Sequence, residues 1–389
     1  MKRIDKTLII VSQMRINDPY KIAGKGFSEA FFWRRFFKKV IFIGFTEKEK
    51  HRLYKLAKNF YMYLIPLKML DESPRSYLNI LKAYVNLVAL LFGLSKKNKD
   101  ILVRSENIIL CGFPTFLASK ISRFCYGIWL GGMERKALEQ KYKSNIIRKA
   151  VAILEYIVLS NAKFVFVVSN ELYNLAKARH ANIIIRTPNY VDLEKFRAYR
   201  FPPVAPPITR FLYAGRLEKE KGIDVLMEAT KMLHEKTREF ELWIIGRGSM
   251  RSYVIQFIRK HELERYVKIM DPIPHWRMPH MYNNVDIVII PSYTEGAPAV
   301  LFEAMACGRP VIATCVGQIP VLIRNNINGI LFDPGNSKQL ADAMYSVTKN
   351  ENLLKEMARN AEKMVRHTAS KYVPLHLLVY EKLLRLSPR

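Results

Sequence analysis

The chain has 389 residues, half of them apolar and a quarter charged. These proportions exclude a disordered or fibrous protein and suit two globular domains, while four cysteines without C-x-x-C spacing exclude a disulfide framework and read as free thiols in a reducing cytosol. The net charge is +29 and unevenly spread: residues 1–200 hold 37 basic and 15 acidic residues, residues 201–389 hold 26 and 19, so the first half expects an anionic partner.

The N-terminal MKRIDKTLIIVSQ has too short an apolar run for a secretory signal and reads as a first core strand. Further strands are predicted at Val40–Gly44, Tyr61–Ile65, Ile101–Arg104, Gly127–Leu130, Phe164–Val168 and Ile183–Ile185. Helices are predicted at Ser28–Lys39, Glu47–Asn59 and Ile146–Ser160. In the first, most aromatics are expected in the core. The second carries Lys48, Arg52, Lys55 and Lys58 beside Leu53 and Leu56, a pattern suited to an anionic lipid surface. Residues 77–94 are apolar but carry Asn79, Lys82 and Asn86. They read as an amphipathic helix lacking the uninterrupted apolar length of a membrane span.

Four prolines in RFPPVAPPITR cannot continue a helix or a central strand and mark a connector. The expected division is a first domain at 1–198, a linker at 199–209, a second domain at 210–366 and a C-terminal helix at 367–389 packing back on the first domain. Second-half strands are predicted at Phe211–Gly215, Leu242–Gly246, Val267–Met270, Val285–Ile290, Val311–Ala313 and Ile330–Phe332, mostly alternating with helical segments. The fold class is therefore α/β: two Rossmann-like, doubly wound parallel sheets with a cleft between them. Ligands of such sheets bind beyond the carboxyl ends of the strands.

The chemistry-bearing residues lie at those ends. DIVIIPSYTEGAPAVLFEAMACGRP, residues 286–310, reads as strand, loop and helix, an anion site by virtue of free N–H groups and the helix dipole. Glu295 and Glu303 suit a ligand with two hydroxyl-bearing ends joined by phosphate, such as a sugar nucleotide. In an uninterrupted helix they would sit about 80° off a common face, so two solvated glutamates remain the plain alternative. FLYAGRLEKEKG places Gly215, Arg216 and Lys221 at a strand exit, where two cations suit a diphosphate; a solvated basic loop is the alternative. LWIIGRGSMRS offers Gly246 and Gly248 but Arg251 where a dinucleotide fingerprint needs glycine, favouring a tight turn. At Asp271–Pro274, backbone near Ile273 could pair with a base edge or simply turn.

In this order, these segments and the NGILFDPGN turn resemble the C-terminal domain of the family 4 retaining glycosyltransferases, which have the GT-B fold. TPNYVDLEKF, residues 187–196, resembles that family's turn before the linker. The resemblance implies that Arg216 and Lys221 hold a UDP- or GDP-linked donor's diphosphate, that Glu303 binds ribose and that Glu295 lies by the transferred sugar. Gly215, Gly246, Ile273 and the backbone of Gly296, Ala297, Ala299, Val300 and Leu301 would complete the donor site. The Gly24-Lys25-Gly26 loop and Gly131-Gly132 would approach the reacting centre. No D-x-D motif is present, so no metal or other cofactor is expected, cations replacing it. Tyr190, Gln318 and Val321 depart from the family's pattern, and Gly131-Gly132 stands where many relatives place a histidine. The expected activity is sugar transfer to a glycan or lipid-linked acceptor on the inner face of the cytoplasmic membrane. The rivals are a sugar-nucleotide epimerase or hydrolase and a non-catalytic binding protein. Nucleic acid is not expected as a partner, because the aromatics form no evident stacking platform.

Overall fold

Short apolar runs become the strands of two mainly parallel sheets in the computed structural model, which describes residues 4–16, 25–68, 74–98, 100–131, 145–187, 191–199 and 208–386. The chain forms two units: Met1–Thr187 with Val373–Arg389, and Pro188–Tyr372. Residues 188–198, expected with the first domain, therefore belong to the second. The reason is local: Phe196 is buried in the second unit's core, and Asn283 holds this segment by donating to the Arg197 carbonyl (3.0 Å) and accepting from the Tyr199 amide (2.8 Å). The second unit also runs to 372 rather than 366. Of the expected linker, residues 200–207 lie outside the described residues.

The first unit's sheet has the order β3-β4-β2-β1-β5-β6-β7-β8. Its strands are β1 (Ile4–Arg15), β2 (Phe37–Thr46), β3 (Arg52–Ala57), β4 (Phe60–Pro66), β5 (Ile101–Glu106), β6 (Cys125–Leu130), β7 (Phe164–Val167) and β8 (Ile184–Arg186). All neighbours are parallel except β3 and β4, which form an antiparallel hairpin at the edge. This overturns the helix expected at 47–59. RLYKLA also fits a two-residue period: Tyr54 and Leu56 share one face and are half-buried, while Leu53 and Lys55 on the other face are exposed. Strand β4 supplies the partner that decides between the periods. Asn59 closes the turn by donating to the carbonyls of Arg34 (2.8 Å) and Phe37 (3.1 Å). Lys48, Arg52, Lys55 and Lys58 are all exposed, but on a hairpin and its approach, not on an amphipathic helix.

The helices of this unit are α1 (Lys25–Trp33), α2 (Pro74–Lys97), α3 (Phe113–Ser122), α4 (Asn145–Asn161) and α5 (Asn170–Ala178). Helix α1 ends at Trp33 and not at Lys39, because Phe37 already enters β2. The dismissal of 77–94 on length is also corrected: Leu78–Lys97 is long and apolar enough to cross a membrane by length and composition alone. One of its faces, Ala83, Leu87, Leu91 and Leu94, is buried in the unit.

The last helix of the chain, Tyr372–Leu386, also builds this unit. Its His376 ring stacks 4.1 Å from Phe166 and 5.6 Å from Trp129. Its Tyr380 hydroxyl accepts from Arg104 at 3.2 Å, and burial pushes that phenol up to about 12. Arg104, wholly buried, also pairs with Glu29 of α1 at 2.6 Å. One buried cation thus ties α1 and the last helix to the middle of the sheet.

The second unit's sheet, β11-β10-β9-β12-β13-β14, is entirely parallel. Its strands are β9 (Thr209–Ala214), β10 (Phe240–Ile245), β11 (Val267–Met270), β12 (Ile287–Ile290), β13 (Val311–Thr314) and β14 (Gly329–Phe332). Alternate residues serve opposite faces: Phe211, Tyr213, Ile287 and Ile289 join one core, Leu212, Val288 and Ile290 the other. Both faces are covered, which is why these strands read as continuous apolar runs. The chain order reverses between β9 and β12, the position where such sheets bind ligands.

Candidate functional site

The loops leaving β9 and β12 flank that reversal. After β9 the chain passes Gly215 and Arg216, makes a short 3-10 turn at Lys219–Lys221 and enters α6 (Ile223–Lys236). After β12 it passes Pro291 to Pro298 and enters α9 (Ala299–Ala306); α7 (Arg251–Lys260) and α8 (Met278–Asn283) lie between. The two loops touch at Gly222, whose φ is +68°. A Cβ there would sit 1.9 Å from the Pro291 carbonyl oxygen, so only glycine permits both the left-handed turn and the approach. Tyr293 seals the contact, its amide donating to the Glu220 carbonyl at 3.0 Å. The loop after β13 is stitched on in the same way: Gly317, at φ +58°, would put a Cβ 2.0 Å from the Glu295 carbonyl oxygen.

Across this junction lies the central contact of the site. The Lys221 ammonium meets Glu295 Oε1 at 2.6 Å, and both side chains are mostly buried. Ser292 donates to the same oxygen at 2.8 Å. The adjacent negative charge and, above all, burial hold the Tyr213 phenol well above its ordinary range. Its hydroxyl donates to the Arg216 carbonyl at 2.6 Å, fixing the β9 exit. Arg216 itself is exposed and pairs with Glu220 at 2.9 Å. The two cations expected at one diphosphate therefore differ: one is engaged and screened, the other faces solvent.

Glu303 stands apart from Glu295, each with its own partners. It is buried on α9 and accepts from Tyr282 Oη at 2.9 Å, while His275 Nε2 lies 2.8 Å from its other oxygen. Burial and the Glu303 charge raise the Tyr282 phenol well above its usual value, keeping it a donor. A carboxylate so oriented keeps lone pairs for ligand hydroxyls. Ile273, Ala297 and Val300 are half-buried and pack on the core beside it. Leu301 is buried, and its amide bonds the Pro298 carbonyl at 3.2 Å. The first turn of α9 presents its outer N–H groups beside these side chains. Gly246 is buried just past β10, where a Cβ would sit 1.9 Å from the Gly215 carbonyl oxygen, and the turn into α7 is tied to the β9 exit by the Leu217 amide donating to the Arg247 carbonyl at 2.8 Å.

Other expected residues fall elsewhere. Lys25 and Gly26 open helix α1 instead of forming a loop, Gly131 is exposed at the end of β6, and Gly24, Gly132 and Tyr190 lie outside the described residues. Val321 is exposed, and the Gln318 amide donates to the Gly296 carbonyl at 2.8 Å, so neither departure disturbs the junction.

Sequence reasoning missed Ser292, His275 and Tyr282. The seven-residue spacing of His275 and Tyr282 in DPIPHWRMPHMYNN was the available signal, though nothing in it names Glu303 as their target. It also missed a polar cluster at the first sheet's own reversal, between β1 and β5. There Ser12 donates to Glu106, and Asn107 donates to Gln13 at 2.7 Å. Asn107 adopts φ 65°, ψ 166° at the start of a π-helical turn, Ile108–Gly112, a backbone region that favours glycine and is found at functional sites.

Comparison with known proteins bears on the same residues. The family profile described as "Glycosyl transferases group 1" matches residues 203–364. An amylovoran biosynthesis glycosyltransferase, AmsK of Erwinia amylovora, is 32% identical over 167 residues, 41% of this chain and 41% of that protein. The chain spans only 34% to 50% of the length of the curated relatives it matches. Among solved structures, sucrose-phosphate synthase of Thermosynechococcus elongatus superposes with a TM-score of 0.80 at 18% identity, covering 98% of this chain and 100% of that one. Anabaena HepE, solved with UDP, superposes with a TM-score of 0.70 at 16% identity, covering 98% and 99%.

Proposed function

From a group 1 glycosyl transferase domain at residues 203–364, set in a GT-B fold, we propose that the protein transfers a sugar, with retention of anomeric configuration, from a nucleotide-sugar donor to a glycan or lipid-linked acceptor. The acceptor is presented at the cytoplasmic membrane face, where the protein sits peripherally. The carrying observation is the Lys221–Glu295 pair. It spans the chain reversal of the second sheet, and its Glu295 lies on the loop that feeds the α9 N-terminus.

In this reading Lys221 and Arg216 hold the donor diphosphate, so charge developing on the leaving oxygen meets fixed cations. The first turn of α9 adds its dipole. Glu303, positioned by His275 and Tyr282, accepts the ribose hydroxyls. Glu295 lies toward the transferred sugar and keeps Lys221 in place. No metal is required by this arrangement, since the cations are already supplied. Uridine is the favoured base, because HepE binds UDP on the same fold.

Thermal shift against UDP-, GDP- and ADP-sugars, followed by transfer of labelled sugar to membrane extracts, tests the reading. A donor present far above its Kd should raise the melting temperature by mass action. The expected result is stabilisation by a UDP-sugar and label in an extracted glycan or lipid. Free sugar or an epimer released without acceptor would support the epimerase or hydrolase rival instead, and no stabilisation by any donor would sink the proposal.

A further inference from the structure

Helix α2 is apolar on both sides. Its inner face is buried, yet only 22% of its most apolar stretch is covered. Opposite Ala83 and Leu87, the helical repeat places Leu78, Leu81 and Val85, which are 57%, 59% and 61% exposed. A helix apolar all round belongs in a core or in lipid, and bare apolar faces of this kind mark interaction surfaces. Helix α3 lies alongside, its Phe113 ring 6.0 Å from Tyr84 of α2, and exposes Leu117 and Ile121.

Cations edge these apolar ridges. Lys82, Lys96 and Lys97 of α2 and Lys120 of α3 are exposed; Lys96 lies 4.3 Å over the Phe92 ring. None of the described residues of α2 is acidic. A second copy meeting this face would set like charges together in the half of the chain that holds 37 basic and 15 acidic residues. An anionic bilayer surface matches both features, apolar interior and negative headgroups. The edge hairpin at 52–66 matches only one: its sole large exposed apolar side chain among the described residues is Leu53, and Glu47 and Glu49 beside it pair with Arg15 and Lys68.

We infer that the outer face of α2, with the Leu117–Ile121 ridge of α3, docks the protein on anionic lipid, Leu78, Leu81 and Val85 entering the interface and the lysines meeting headgroups. The inference rests on the reading that the acceptor is presented at a membrane. It locates that contact on α2 and not on residues 48–58.

The test uses the full chain and vesicles of phosphatidylcholine, alone or with one quarter phosphatidylglycerol. The parent should float with the anionic vesicles and hardly with the neutral ones, and the triple variant L78Q/L81Q/V85Q should partition about tenfold less or weaker still. Its melting temperature and donor-induced stabilisation report folding. A second variant, K82Q/K96Q/K97Q, touches no buried side chain and should lose binding severalfold, with a weaker salt dependence. Parental flotation of either folded variant overturns the inference. So does a parental dimer, seen by sedimentation, that the triple variant dissolves, because a second copy would then cover the face. Donor binding that fails while flotation survives would sink the transfer reading and leave the lipid face standing.

Discussion

The two units both place an arginine or lysine against a carboxylate near the middle of a parallel sheet, but they use the pair differently. In the first unit Arg104 and Glu29 are sealed from solvent, 0% and 4% exposed, and join α1 and the last helix to the sheet. In the second unit Lys221 and Glu295 sit on loops at strand ends, partly open at 21% and 13%, and Arg216 with Glu220 is open at 65% and 43%. A cation that is fully desolvated and paired within the chain serves architecture. One held at a strand exit by a single carboxylate can be handed to an incoming anion.

Breaking the first pair should have the largest effect on folding. Removing one partner of a buried pair leaves an uncompensated charge, and Glu29→Ala should therefore cost about 3–5 kcal/mol of stability, measured by denaturant unfolding. A loss under about 1 kcal/mol would mean that the network does not hold these helices. In the second unit Lys221→Ala should instead lower turnover about 10²–10³-fold while the melting temperature stays near the parent's. Because Lys221 and Glu295 touch, their variants should be non-additive, the double variant hardly worse than K221A; simple addition in kcat/KM would show that they act separately.

The two glutamates sharpen the comparison further. Glu303→Gln removes the charge that orients His275 and Tyr282, and UDP affinity by calorimetry should fall about tenfold or more. Glu295→Gln, whose amide oxygen can still accept from Lys221, should leave UDP affinity nearly intact and weaken only the sugar-bearing donor. Equal losses in both variants would reject that division. The smallest effects belong to the open features. Glu220→Gln, breaking an exposed pair, should change stability by less than about 1 kcal/mol. Transfer should persist in excess EDTA, and its abolition with rescue by Mg²⁺ or Mn²⁺ would return the phosphate charge to a metal.

Much of the second unit was legible in its sequence. Strands such as VDIVIIP and FLYAG are buried on both faces, so they carry no alternation that could be mistaken for a surface element, and helix starts follow them at glycine or proline. The first unit was less legible at its edge. Residues 47–59 satisfy a helical charge pattern as well as a strand's two-residue period, and short segments of this kind take the form their neighbours impose. The same limit applied to 77–94, where scattered Asn and Lys hid how apolar both faces are; only burial distinguishes the face that packs from the face left bare.

The sequence by itself determined the α/β class, the order of the second unit's strands and the positions of Arg216, Lys221 and Glu295 in loops leaving two strands, with Glu303 on the helix that follows, because hydrophobic period and turn chemistry are local properties. The tertiary structure alone decided which of them meet. Lys221 and Glu295 are 74 positions apart, and Glu303 finds its partners 21 and 28 positions earlier. These contacts exist because β9 lies beside β12 in the sheet and because Gly222 and Gly317 let the loops close to backbone contact, facts of packing that no local pattern contains.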